Sequence, residues 1–92
     1  MPRFTVRIEL HEASWDQYEE LHKNMSLQGF TDTIETQKST VQMPPAEYNF
    51  DGALTKEQVL DKAKIAAVSI VKKYAVLVTE SNGRTWYGLD NA

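Results

Sequence analysis

His11 and His22 are the only imidazoles in the chain, and cysteine is absent, so thiol nucleophiles, thiolate metal sites and disulfides drop out together. His11 stands beside Glu9 and Glu12 at the end of an alternating run, where a carboxylate could orient and charge the ring for acid or base work near neutral pH. A surface histidine in a β-to-α turn is the plainer explanation of the same residue. His22 falls on the flank of a helical apolar face and reads as a packing histidine. Metal binding would need Glu9, His11, Glu12 and Asp16 to converge, a nonspecific spacing, and neither a metal nor a cofactor is assigned. Arg7 and Arg84 are the cations that could stabilise a phosphate in a transition state. Trp86, Tyr48 and Lys72 could hold single-stranded RNA, through base stacking and phosphate pairing. Against that, Trp86 packed in a core and Arg7 paired with Glu9 or Glu80 explain the same residues. Gly-rich phosphate loops and Ser-His-Asp or lysine-nucleophile signatures are missing.

The elements that must position these groups are legible from periodicity. Phe4, Val6, Ile8 and Leu10 alternate with Thr5, Arg7 and Glu9, the period of a half-buried strand. Ser14 and Gln17 have capping-box spacing and Gly29 a helix stop, so a helix is predicted over 14–28, with Trp15, Tyr18, Leu21, His22 and Met25 on its apolar face. Weak strands follow over 30–36 and 40–43, joined by Gln37-Lys38-Ser39. Pro44-Pro45 lack two donors and should end any central strand, leaving 46–53 as a loop that carries Tyr48 and Phe50. Thr55 and Gln58 form a second capping box that starts a helix running to about Tyr74. A β-branched strand over 75–81 then meets Asn82-Gly83, a type I′ signal, with 84–89 returning beside it as a hairpin strand.

The order β, α, β, β, α, β plus a terminal hairpin strand matches the split βαβ motif. The expected fold is therefore α+β, a ferredoxin-like sandwich with both helices on one face of an antiparallel sheet. An open α+β meander of different strand order is the alternative. The 92 residues form one expected domain, 1–92. Neither a signal core nor an apolar run long enough to span a bilayer is present, which points to a cytoplasmic protein with no membrane partner. A net charge of −3 argues against broad nucleic-acid binding. Acidic residues are concentrated before Gly52 and basic ones after it, which leaves room for RNA docking or for head-to-tail association. Ile65 and Val68 fall opposite the buried face of the second helix and suggest a contact patch.

The stretches Pro2 to His11, Trp15-Asp16-Gln17-Tyr18, Ala46-Glu47-Tyr48 and Ala75 to Leu89 resemble small bacterial and phage-associated proteins similar to GhoS, the endoribonuclease antitoxin of type V toxin-antitoxin systems. The resemblance spans nearly the whole chain. It implies a ferredoxin-like fold related to CRISPR-associated Cas-two nucleases, and cleavage of a toxin's messenger RNA. The expectation is then an RNA-binding antitoxin acting on single-stranded mRNA, with His11 activating a 2′-hydroxyl and Arg7 or Arg84 on the phosphate. The alternative is a non-catalytic homodimeric interaction module of bacterial or phage origin. It would use the Ile65 and Val68 patch or the edge of the terminal strand.

Overall fold

A computed structural model describes residues 2–92. The element order is β1 (Arg3–Leu10), α1 (Trp15–Leu27), β2 (Thr33–Glu35), β3 (Thr40–Gln42), β4 (Glu47–Asp51), α2 (Lys56–Val68) and β5 (Tyr74–Glu80). The result is an α+β fold in which β4, β1 and β5 form an antiparallel sheet with β1 central, and β2 and β3 form a separate hairpin. No helix among the described residues is long and apolar enough to cross a membrane.

The alternation of β1 does what its period requires. Phe4, Val6, Ile8 and Leu10 are buried, and residues directly opposite in an antiparallel pair share a face, so Tyr48 and Phe50 of β4 join them. Leu21 and Met25 of α1 and Val59, Ala63, Ala66 and Ala67 of α2 close the core from above. The alanines let the helices approach closely enough for Asn24 Nδ2 to donate to the Ala66 carbonyl at 3.0 Å. Both capping boxes form: Ser14 and Thr55 accept from the Gln17 and Gln58 amides, and each glutamine side chain accepts from its cap amide. At the end of α1, Gly29 N–H donates to Ser26 O and Phe30 N–H to Met25 O, both at 3.0 Å, the Schellman pattern, with Gly29 at φ +92°.

Three segments depart from the sequence reading. Residues 47–51 are strand, not loop. Glu47 N–H donates to the Pro44 carbonyl at 3.1 Å, with Pro45 and Ala46 (φ +63°) between them, a type II turn that completes the chain's reversal before β4 starts. The prolines' missing donors therefore fall outside the ladder. In the second departure, residues 84–89 form no hairpin strand. A type I′ turn needs positive φ at both central residues, and Asn82 does not have it; Ser81 Oγ instead accepts from the Gly83 amide in a local turn. The chain after Glu80 crosses to the small hairpin. There Leu89 packs on Ile34, Val41 and Met43, while Gln42 N–H donates to Asp90 O at 2.8 Å and Ala92 N–H to Thr40 O at 3.0 Å. Helix α2 also ends early, at Val68, because Ile70 and Val71 disfavour helix and Tyr74 is needed opposite Leu10.

Two of the left-handed residues, Gly29 and Ala46, give a matched test. Space beside Gly29 is adequate, since an added Cβ would meet Phe50 at an ordinary 3.5 Å, so the cost of Gly29→Ala is its backbone conformation, ~1–2 kcal/mol. Ala46→Gly relieves the same strain, offset by the greater freedom of an unfolded glycine, and should stabilise by a few tenths to about 1 kcal/mol. Urea unfolding of both variants checks the opposite signs.

Candidate functional site

The helices cover one face of the three-stranded sheet and leave the other open. Register places Arg3, Thr5, Arg7 and Glu9 of β1 on that open face, with Asp51, Asn49 and Glu47 of β4 and Thr79, Leu77 and Ala75 of β5 opposite them. The chain has only three arginines, and all three reach this face, because the tail returns Arg84 to it. Arg84 Nη1 donates to Asn49 Oδ1 at 2.8 Å and to Thr5 Oγ1 at 3.3 Å. Asp51 accepts from Arg3 Nε at 3.0 Å and from Asn49 Nδ2 at 3.1 Å. The result is a connected polar cluster, Arg3–Asp51–Asn49–Arg84, beside a cleft of about 410 Å³ that Thr31 and Thr33 also line.

Charge at this cluster is tuned by proximity. Burial tends to raise the Asp51 carboxyl, but hydrogen bonds from Arg3 and Asn49 and the charges of Arg3 and Arg84 outweigh it, so the group lies below its ordinary value. Burial, reinforced by Arg3, lowers the Arg84 guanidinium, which Asp51 partly offsets. The guanidinium stays charged at every working pH.

Arg7 lies midway along β1 and makes no ion pair among the described residues. Beyond it, His11 Nε2 sits 3.4 Å from Glu9 Oε1, so a carboxylate does orient that ring. Arg7, Glu9 and His11 thus file along one side of the strand. Arg84 is anchored at Thr5, six residues from His11, which separates the two by roughly 20 Å along the strand. A single phosphate cannot touch both. Trp86 is 39% exposed in the tail just after Arg84, and Tyr87 is fully exposed. Lys72 stands elsewhere, with Lys64 and Lys73 around a cleft between α2 and β5 that Tyr74 and Val76 floor from the helix side. Among the described residues no three His, Asp or Glu side chains are grouped to hold a metal ion, and Glu9, His11, Glu12 and Asp16 are no exception.

Tyr48 cannot stack a base as expected of a loop aromatic. It is a β4 residue on the core face, 1% exposed, with its hydroxyl bonded to Nδ1 of His22. Burial foremost, then the nearby charges of Asp32, Tyr18 and Glu19, pushes its ionisation well above the ordinary 10.0, so the phenol keeps its proton. Trp15 is the reverse correction: placed on the buried face by helical projection, it is 73% exposed. As the first residue of α1 it stands beyond the core, where it lines a cleft with Pro44, Pro45 and the C-terminal tail.

A pH consequence follows from Tyr48. Its folded value is raised, so above pH 10.0 the unfolded chain loses a proton that the native state retains. The stability present below that pH falls as pH rises beyond it, by at most ~1.4 kcal/mol per pH unit. Tyr48→Phe should flatten this part of the profile, read as urea midpoints from about pH 9 to about pH 11. An unchanged slope would remove Tyr48 as its source.

The sequence reading missed Arg3, Asn49 and Asp51. Arg3 was within reach, since it lies four residues before Arg7 on a strand of period 2, whereas the other two required β4 to be recognised as a strand. Compared with known proteins, the chain matches no family model and no curated sequence.

Proposed function

We propose that the chain is a small cytoplasmic RNA-binding protein of the GhoS-like kind, an endoribonuclease antitoxin that takes single-stranded messenger RNA along β1 on the open sheet face. The observation that carries this reading is the gathering of all three arginines, and none of the lysines named above, on the one face without helices. Guanidinium groups pair with phosphate as planar forks, and exposed aromatics such as Trp86 stack bases without regard to sequence. The track from Arg84 past Arg7 to His11 is roughly 20 Å, enough for a few nucleotides. At its far end the Glu9-oriented His11 takes the 2′-hydroxyl proton as the 2′-oxygen bonds to the adjacent phosphorus and the 5′-oxygen leaves, protonated by water, to give a 2′,3′-cyclic phosphate, while Arg7 meets the phosphate charge.

The ferredoxin-like sandwich belongs to the same reading. β1 lies between β4 and β5, and Thr31, just before β2, bridges to Asn49 of β4. Counting that bridge as the second strand of the motif gives the last–first–third–second order of a split βαβ sheet, with β2–β3 as an inserted hairpin.

Labelled single-stranded RNA incubated with the protein, with and without EDTA, tests both halves. Protein-dependent binding that weakens with salt, and cleavage lost in His11→Ala with the fold retained, support the proposal. Binding without cleavage removes His11 from the chemistry, and neither binding nor cleavage across several RNAs removes the RNA reading.

One observation favours the interaction-module reading as well. The outer edge of β5 pairs with no strand among the described residues, while Leu77 on β5 and Ile65 and Val68 on α2 are 64%, 58% and 62% exposed. A homodimer through this edge is tested by sedimentation of Ile65→Lys and Val68→Lys, which should dissociate it.

A further inference from the structure

A second cleft, of about 720 Å³, opens between α1, the Pro44-Pro45 turn and the C-terminal tail. Trp15, Pro44 and Pro45 supply its apolar surface, and three carboxylates, Asp32, Glu47 and Asp90, line it together with His22. No lysine or arginine does. The walls are held in place from several sides. The type II turn fixes the prolines, the Tyr48 hydroxyl orients the His22 ring, and the backbone bond from Gln42 to Asp90 seats the tail. Trp15, 73% exposed, is the largest apolar side chain that the fold leaves on this side of the molecule. An exposed indole beside several uncompensated carboxylates, on a chain of net charge −3, is complementary to a cation with an apolar stem.

We propose that this cleft binds a cationic peptide segment of a partner protein, with an arginine or lysine seated against the Trp15 indole, its charge toward Asp32 and Asp90, and apolar neighbours on Pro44 and Pro45. A nucleic acid is the wrong occupant, because the same carboxylates repel phosphate. Indole is the strongest cation-binding ring among the side chains, and removing a cation–π contact together with its counter-charges weakens binding by about tenfold. The site is independent of RNA binding. It shares only Glu47 with the open face, and Glu47 is therefore left intact in the test.

The probe is an acetylated Leu-Arg-Leu peptide, compared with the same peptide carrying citrulline in place of arginine, which keeps the shape and removes the charge. The arginine peptide should bind wild-type protein about tenfold more tightly than the citrulline peptide and move the Trp15 indole N–H resonance in proton–nitrogen spectra. Trp15→Ala and the double variant Asp32→Asn with Asp90→Asn should each reduce its affinity to the citrulline level. All three positions lie outside the buried core, and circular dichroism confirms folding. Should Trp15→Ala fail to fold, the carboxamide variant and the wild-type indole shift decide. Equal binding of the two peptides, unchanged affinity in the variants, or no binding of either peptide overturns the proposal. So does displacement of the peptide by a single-stranded oligonucleotide, or a Trp15 signal that changes with protein concentration alone, which would mean that a second copy fills the cleft.

Discussion

Phe4→Ala should lower the stability of the protein by ~3–5 kcal/mol, the range for deleting a fully buried phenyl ring. Phe4 is 0% exposed on the central strand, between Phe50 and Glu80 in the register, with its ring 6.4 Å from that of Phe50. Phe50 in turn meets Phe30 at 5.3 Å and lies under the Lys62 ammonium at 5.9 Å, so the cavity would open at a junction of β1, β4, α2 and the segment after α1. Domains of this size are stable by roughly 5–14 kcal/mol, so this one change removes a large share of the margin. In urea the midpoint should fall by about 2 M or more. Phe4→Leu, which fills most of the space, should recover over half of the loss. A midpoint that barely moves in Phe4→Ala would contradict the central position of β1.

The second large effect is expected at Arg84. Removing the guanidinium in Arg84→Ala takes the donor from Asn49 Oδ1, which is buried at 7% exposure, and frees the tail from the sheet. An orphaned buried acceptor costs ~1–3 kcal/mol. The tail from 82 to 89 should become a site of early proteolytic nicking. On the proposed RNA track one phosphate contact disappears. Affinity should fall about tenfold at low salt, and the slope of log affinity against log salt should shrink by ~0.7, the value for one phosphate on a single strand. Arg84→Lys separates the two roles. It restores the charge and with it most of the salt slope, but its shorter, flexible stem does not hold one nitrogen against both Thr5 and Asn49 as the rigid, planar guanidinium holds Nη1. Loss of the tail contact with an unchanged salt slope would show that Arg84 is a structural strap and not a phosphate ligand.

The parts of this fold that were legible in the sequence are those written in local chemistry. The β1 alternation, the Ser14 and Thr55 boxes and the Gly29 stop each depend on residues no more than a few positions apart, and all form. The parts that were not depend on distant partners. β4 keeps its alternation for only a few residues behind two prolines, and its identity as a strand comes from β1, more than forty residues earlier. Asn82-Gly83 carries a hairpin signal, yet Leu89 finds a better partner in the Ile34, Val41 and Met43 cluster than in a solvent-facing edge beside β5. For the site, the pattern on β1 fixed that Arg7, Glu9 and His11 share a side. Only the structure showed Arg84 at the opposite end of the strand and Tyr48 inside the core.

The central position of β1 also sets the order in which the molecule can be built. The strand with the densest apolar face is made before both of its neighbours, β4 coming only after α1 and the β2–β3 hairpin, and β5 after α2. At ~5–20 residues per second, several seconds separate the emergence of β1 from that of β5. During that interval Phe4, Val6, Ile8 and Leu10 have the α1 face and, later, β4 and α2 to shelter them, but one edge of β1 stays unpaired. Folding should therefore be late and concerted, slowed by long-range strand closure, and a nascent chain stalled before Tyr74 should be a client of chaperones that bind exposed apolar strands.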